Sequence, residues 1–199
     1  ARDANVTTAQ GRFENKKHQY RLTGSYSASH VYEWVKSSDI ASEKQNKYGQ
    51  EVTFSADKII GNSSYGGSYG IRNKNYDKND LGFNFVNDYS EIGTYYEYNK
   101  FNPFWKYFKQ GSVTIYANRN GRLSRNNQLT SLSAGIYAFL LFDNNWSLYS
   151  NAGFQPIDGR DFYEPRIEEM FYITPANSYC SINFTTDYNK TLAFDFGGR

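Results

Sequence analysis

The sequence predicts an all-β protein, an antiparallel up-and-down transmembrane β-barrel of which about ten strands are visible. Three observations carry that expectation. Apolar and polar residues alternate with period two over long stretches, as in "LSAGIYAFLLF" at 132–142. Short turns alternate with long loops along the chain. Aromatic residues reach 19% although only 39% of residues are hydrophobic and mean hydropathy is negative. A polar chain that spends its apolar residues on Tyr and Phe is not building a leucine-rich helical core. No apolar run approaches the roughly 18 residues of a membrane helix, a limit that does not apply to strand-built membrane walls.

The strands follow in order. The first, 3–13, alternates from the outset. The second, 18–30, sets Tyr20, Leu22 and Tyr26 against Arg21, Thr23 and Ser25. The third, 47–58, sets Val52, Phe54 and Ala56 against Thr53, Ser55 and Asp57, and the fourth, 64–74, sets Tyr65, Tyr69 and Ile71 against Ser68 and Arg72. The fifth, 86–98, places Ile92, Tyr96 and Tyr98 opposite Glu91 and Glu97; the sixth, 107–118, places Val113, Ile115 and Ala117 opposite Ser112 and Thr114. The seventh and eighth, 129–142 and 146–155, form a hairpin around "DNN". The ninth, 177–186, carries Ile182 and Phe184; the tenth, 191–199, carries Leu192, Phe194 and Phe196 opposite Asp195.

Short connections are "ENKK", "IIGNS", "NKFNPFWK", "DNN" and "DYNK". Long ones are "VYEWVKSSDIASEKQN", "NYDKNDLGFNF", "NRNGRLSRNNQ" and "QPIDGRDFYEPRIEEMFYITPAN". Pro103, Pro156, Pro165 and Pro175 all fall in connections, where no ladder hydrogen bond is lost. Outer-membrane barrels share this layout, with short periplasmic turns and long outer loops. Charge is expected on one face, because a cation facing lipid at mid-bilayer costs about 2–4 kcal/mol. That assigns Arg21, Asp57, Arg72, Glu91, Glu97 and Asp195 to the lumen. Phe101, Phe104, Trp105, Tyr107 and Trp146 are the candidate aromatics at the membrane interface. A soluble sheet packed on a core would alternate in the same way; strand length and the turn asymmetry favour the barrel.

The chemical constellations are sparse. The loop "DGRDFYEPRIEE" gathers Asp158, Arg160, Asp161, Glu164 and Arg166, followed by Glu168 and Glu169. Such carboxylates can do acid–base work or hold a hard cation, but a solvated loop knitted by Arg–carboxylate pairs is the simpler reading. "DKNDLG" at 77–82 begins like a calcium loop and lacks its distal Glu. His18 and His30 lie at opposite ends of one strand. No phosphate loop, zinc spacing or nucleophile elbow is present. The expectation is a protein that is not an enzyme, with no catalytic residue, metal or cofactor. A net charge of +2 without a basic stripe gives no reason to expect nucleic acid as a partner. Cys180 is the single cysteine, so no disulfide framework exists.

The stretch from Asn75 through "NDLGF" (79–83) and "FNPFWK" (101–106), and then "DFYEPR" (161–166), resembles the barrel region of a family of Bacteroidota outer-membrane proteins of unknown function. The resemblance covers most of the chain. It implies an outer-membrane location and more strands than the ten seen here. It also implies that longer members carry a soluble sandwich, similar to carbohydrate-binding module family 9, ahead of the barrel. The ending "LAFDFGGR" departs from the aromatic on which a terminal barrel strand usually closes. Residues 1–199 are therefore expected to be a single barrel region within a longer chain.

Three functions fit these features. The first is a membrane anchor, scaffold or subunit of a larger outer-membrane assembly, in contact with outer-membrane lipid and other envelope proteins. The second is a barrel that conducts or imports a solute, and the third a soluble glycan-binding sheet protein. On the barrel reading, protease added to intact cells cuts within 33–46 or 156–176. Cuts confined to 14–17 or 187–190 would mean that the orientation is inverted.

Overall fold

The structure is a computed structural model that describes residues 2–36, 42–78, 87–162, 164, 165, 167 and 170–199. Strands β1 (Arg2–Glu14), β2 (Tyr20–Lys36), β3 (Ser42–Lys58), β4 (Ser63–Arg72), β5 (Tyr89–Lys100) and β6 (Phe108–Arg122) lead to a 3-10 turn at Leu123–Arg125. Then come β7 (Gln128–Phe142), β8 (Ser147–Gln155), β9 (Gly159–Asp161), β10 (Tyr172–Thr174), β11 (Asn177–Thr185) and β12 (Asp195–Gly198). Ten strands form one antiparallel sheet in the order β1-β2-β3-β4-β5-β6-β7-β8-β11-β12, and β9 and β10 form a separate two-stranded ribbon. The all-β meander is as expected, with no α-helix among the described residues. The sheet is open: β1 and β12 are its edges and do not pair with each other.

Several boundaries differ from the sequence reading. β2 and β3 run on to Lys36 and back to Ser42, through residues expected to be loop. Pairing continues there residue for residue, and Lys47 meets Glu33 across the two strands at 3.3 Å. β6 continues through "NRNGR" to Arg122, with a register shift at Asn120–Gly121 and an Asn120 Nδ2 to Ser131 Oγ bond of 3.0 Å. The chain reverses only at Asn126 and Asn127, both left-handed at φ 54° and 56°. At the other extreme, β12 is four residues long, and 186–194 is a wide turn pinned by Thr186 N–H donating to Phe194 O at 3.0 Å.

The register makes two chemically distinct faces. Tyr96, Ile115, Ile136, Ala152 and Cys180 stand in one row across β5, β6, β7, β8 and β11. A row of the opposite face runs Arg21, Asp57, Gly66, Tyr95, Tyr116, Gly135, Gly153, Tyr179 from β2 to β11. No described residue covers the middle of the apolar face: Phe54 is 49% exposed, Ile115 52% and Phe154 51%. Among the described residues the only buried hydrophobic side chains are Val31 and Tyr76. The surface area is 13743 Å², against about 9600 Å² for a compact soluble monomer of this mass. The large apolar side chains of the open face contribute to that excess.

Charge is not wholly confined to the polar face. Lys58, Lys100 and Arg119 stand in register with apolar-face residues, but at the strand ends. Lys58 Nζ reaches Ile60 O at 2.8 Å and Arg119 reaches Asn127 O at 2.8 Å. Both turn their charge toward the polar margins, as snorkelling side chains do.

The polar face is filled by its own side chains. Tyrosine rings lie over glycines: a Cβ at Gly135 would stand 2.5 Å from Tyr116 Oη, and one at Gly153 would stand 2.7 Å from Tyr179 Cε1. Tyr116 and Tyr137 stack with centroids 5.2 Å apart. The loop after β4 folds onto the same face, where Tyr76 covers Gly49 and Asp77 N–H donates to Ser29 Oγ at 2.9 Å. Gly135→Val should therefore lower folding stability by about 1–3 kcal/mol through overpacking, read as an earlier urea midpoint in detergent. Ala134→Val, one residue along on the open face, should stay within about 0.5 kcal/mol.

Candidate functional site

The strands deliver three residues to one row at the long-loop end: Arg72 closes β4, Tyr89 opens β5 and Arg122 closes β6. The next row inward holds Glu91, Asn120 and Ser131. The β9–β10 ribbon returns over this face and brings Arg160, Asp161, Phe162 and Thr174. Together they wall a cleft of about 460 Å³, within the size range of small-ligand sites.

Its walls are held by paired charge. Arg72 Nε donates to Glu51 Oε1 at 2.9 Å, and its guanidinium lies 5.3 Å from the Tyr76 ring and 4.9 Å from the Tyr89 ring. Arg122 Nε donates to Asp88 Oδ2 at 2.8 Å, and Asp88 also accepts Ser124 N–H at 2.7 Å. The Arg122 guanidinium sits 4.7 Å from the Phe162 ring, which docks the ribbon loop onto the sheet. Arg160 lies 5.5 Å from the ring of Phe171. Both ion pairs are nearly out of solvent, so removing one partner strands a charge in a low-dielectric site.

Of the charges that the sequence assigns to one lumen, Arg72 and Glu91 converge here, with Arg160 and Asp161 of the acidic loop. The others share the face but not the cleft. Arg21 bonds Glu14 at 3.0 Å near the first short turn, and Asp57 accepts Tyr95 Oη–H at 3.2 Å. Glu97 accepts Asn99 Nδ2–H at 2.8 Å, and Asp195 accepts the Tyr188 hydroxyl. In the loop, Asp158 accepts Ala176 N–H at 2.8 Å and Asp161 accepts Glu164 N–H at 3.2 Å. Arg166, Glu168 and Glu169 lie outside the described residues, as does most of the "DKNDLG" turn.

The interface aromatics divide. Phe101, Trp105 and Tyr107 are exposed at the β5–β6 turn, Trp105 at 82%. Trp146 stands 5.5 Å from Phe184 at the same end of the sheet. Phe104 instead stacks on Phe108 at 5.3 Å and lies over Gly111, so it packs the corner of the hairpin.

Sequence reasoning missed Glu51, Tyr89, Asp88, Arg122 and Phe162. Arg122 carried a usable signal, since Asn118, Asn120 and Arg122 extend the polar alternation of β6; the Asn and Gly among them read as a turn. Phe162 had none, because its contact depends on a loop folding back across the sheet.

A family model described as a domain of unknown function, DUF5916, matches residues 1–198. The chain belongs to that family. No curated protein and no solved structure matches it.

The DUF5916 chain carries a second charged knot at its short-turn end, beyond the apolar band. Glu14 accepts from His18 Nδ1 at 2.9 Å and from Arg21 Nε at 3.0 Å, and pairs with Arg12. The bonds from His18, then Arg12 and Arg21, hold its carboxyl at about 2. A depressed carboxyl stabilises the folded state above its unfolded value near 4.3, and that contribution is lost as pH falls from there toward 2. Hydrogen exchange at 13–21, corrected for its intrinsic rate, should therefore accelerate between pH 5 and pH 3. Glu14→Gln should exchange quickly and alike at both.

Proposed function

We propose that this DUF5916 chain forms part of the wall of a bacterial outer-membrane β-barrel. Its role is that of an anchor, scaffold or subunit of a larger outer-membrane assembly. One observation carries the reading: an apolar face that no described residue covers backs a face that holds the paired charges, over ten strands in one sheet. Leu132 to Phe142 rises about 33 Å at 3.3 Å per residue, and at a barrel tilt near 40° it stands about 25 Å tall, the height of the apolar band of such barrels. Exposed Phe101, Trp105 and Tyr107 at the short-turn end suit the lower interface. Tyr48 and Tyr26, joined by their hydroxyls at 3.0 Å, suit the upper one.

Open edges in lipid leave backbone donors and acceptors unpaired at several kcal/mol each. We infer that β1 and β12 pair with further strands of a larger barrel. The likeness to Bacteroidota outer-membrane proteins, with their soluble sandwich ahead of the barrel, supports the same reading. The tyrosines packed over glycines favour a filled wall, and hence a scaffold rather than a channel. The cleft at the long-loop end favours a second reading, a barrel that takes up a solute. Among the described residues no arrangement of side chains assembles a nucleophile with a base and an oxyanion site, so we read no enzyme in it.

Ile115→Arg, at mid-band, should weaken insertion into lipid vesicles by about 2–4 kcal/mol, whereas Thr114→Arg on the polar face should change it far less. Refolding across a urea series with a gel-shift readout of insertion measures both. A monodisperse folded monomer obtained without detergent would overturn the proposal.

A further inference from the structure

The cleft at the long-loop end has an unusual charge balance. Arg72 and Arg122 are engaged by Glu51 and Asp88. Asp161 is held within its own loop. Two ionic groups on the walls make no ion pair and no side-chain hydrogen bond among the described residues: Arg160 on the ribbon and Glu91 on β5. Stacking on Phe171 steadies the Arg160 guanidinium and leaves its in-plane N–H donors open. Glu91 has Asn120 beside it in register, whose amide nitrogen is spent on Ser131 and whose carbonyl oxygen remains an acceptor.

A cation and an anion thus line one cavity from different elements. A simple anion would meet Arg160 but be repelled by Glu91, and a simple cation would meet the reverse. A neutral ligand would desolvate both charges and neutralise neither, which is costly. A ligand with a carboxylate at one end and an ammonium at the other satisfies both and disturbs neither internal ion pair. Size narrows the class. A sphere of 460 Å³ is about 10 Å across, and two or three extended residues span about 7–11 Å.

We propose that the cleft binds zwitterionic peptides of two or three residues, with the ligand carboxylate on Arg160 and its ammonium on Glu91. The Thr130, Ser131 and Thr174 hydroxyls and Asn120 are then at hand for the peptide groups between. The site lies on the polar face, so the proposal stands whether lipid or protein covers the other one.

The test is titration calorimetry on the full chain in detergent micelles, with trialanine as probe. N-acetyl-trialanine removes the ammonium, trialanine amide removes the carboxylate, and maltotriose serves as a neutral polyol of similar length. Trialanine should bind saturably, and blocking either end should weaken it at least tenfold. Glu91→Gln should reproduce the loss caused by acetylation and add nothing to it; Arg160→Gln should do the same for the amide. Should either variant fail to fold, the blocked ligands on the unaltered chain decide alone. Absence of saturable trialanine binding up to about 10 mM, where affinity falls below about 3 kcal/mol, would overturn the proposal. So would binding that neither block weakens, or maltotriose binding as tightly as trialanine.

Discussion

The rest of the structure depends on one apolar face of the sheet that no described residue covers. A ten-stranded antiparallel sheet needs a partner for its apolar side. Among the described residues no second layer of helices or strands lies against it, and Ile115, Phe54 and Phe154 stay about half exposed. About 4000 Å² more surface stays exposed than in a compact soluble protein of this mass, and whatever part of it is apolar yields no hydrophobic stabilisation. On the reading proposed above, an environment that removes water from that face supplies what the sheet lacks. Lipid would do so without specific packing, and a face of mixed Ile, Tyr, Ala and Phe suits such a cover.

The other face obeys the opposite rule. It has no hydrophobic core to fill it, so it is packed by pairs of shape and charge. Tyr116 and Tyr179 lie where Gly135 and Gly153 leave room. Glu51 and Asp88 hold Arg72 and Arg122 at the strand ends. These contacts tie each strand to its paired neighbour. The loop after β4 docks through Tyr76 on Gly49, and the loop after β8 docks through Phe162 on Arg122. The cleft lies between the second of these docked loops and the ends of β4, β5 and β6.

What the sequence made legible, and what it hid, divides along the same line. Period-two alternation marked nearly every strand of the sheet, because one-sided burial is written directly into alternate residues. Strand ends were harder. "NRNGR" continues β6 although its composition suggests a turn, and 191–194 belongs to a turn although Leu192 and Phe194 look like strand. In both places tertiary pairing overrode local propensity. Of the site, the charges Arg72, Glu91, Arg160 and Asp161 could be named from their face or loop. Their convergence could not, since it depends on the ribbon folding back across the sheet. Glu51 and Asp88 were invisible as partners for the same reason: register, not spacing, brings them to their arginines.

The central claim is that lipid covers the alternating apolar face. Spin labels placed one at a time at 112–117 on β6, in a Cys180→Ser background and reconstituted into bilayers, report it directly through their relative access to oxygen and to a water-soluble nickel complex. Val113, Ile115 and Ala117 should favour oxygen, and Ser112, Thr114 and Tyr116 should not, giving a period of two. Equal nickel access at both sets of positions, or an alternation with the opposite phase, would contradict the account.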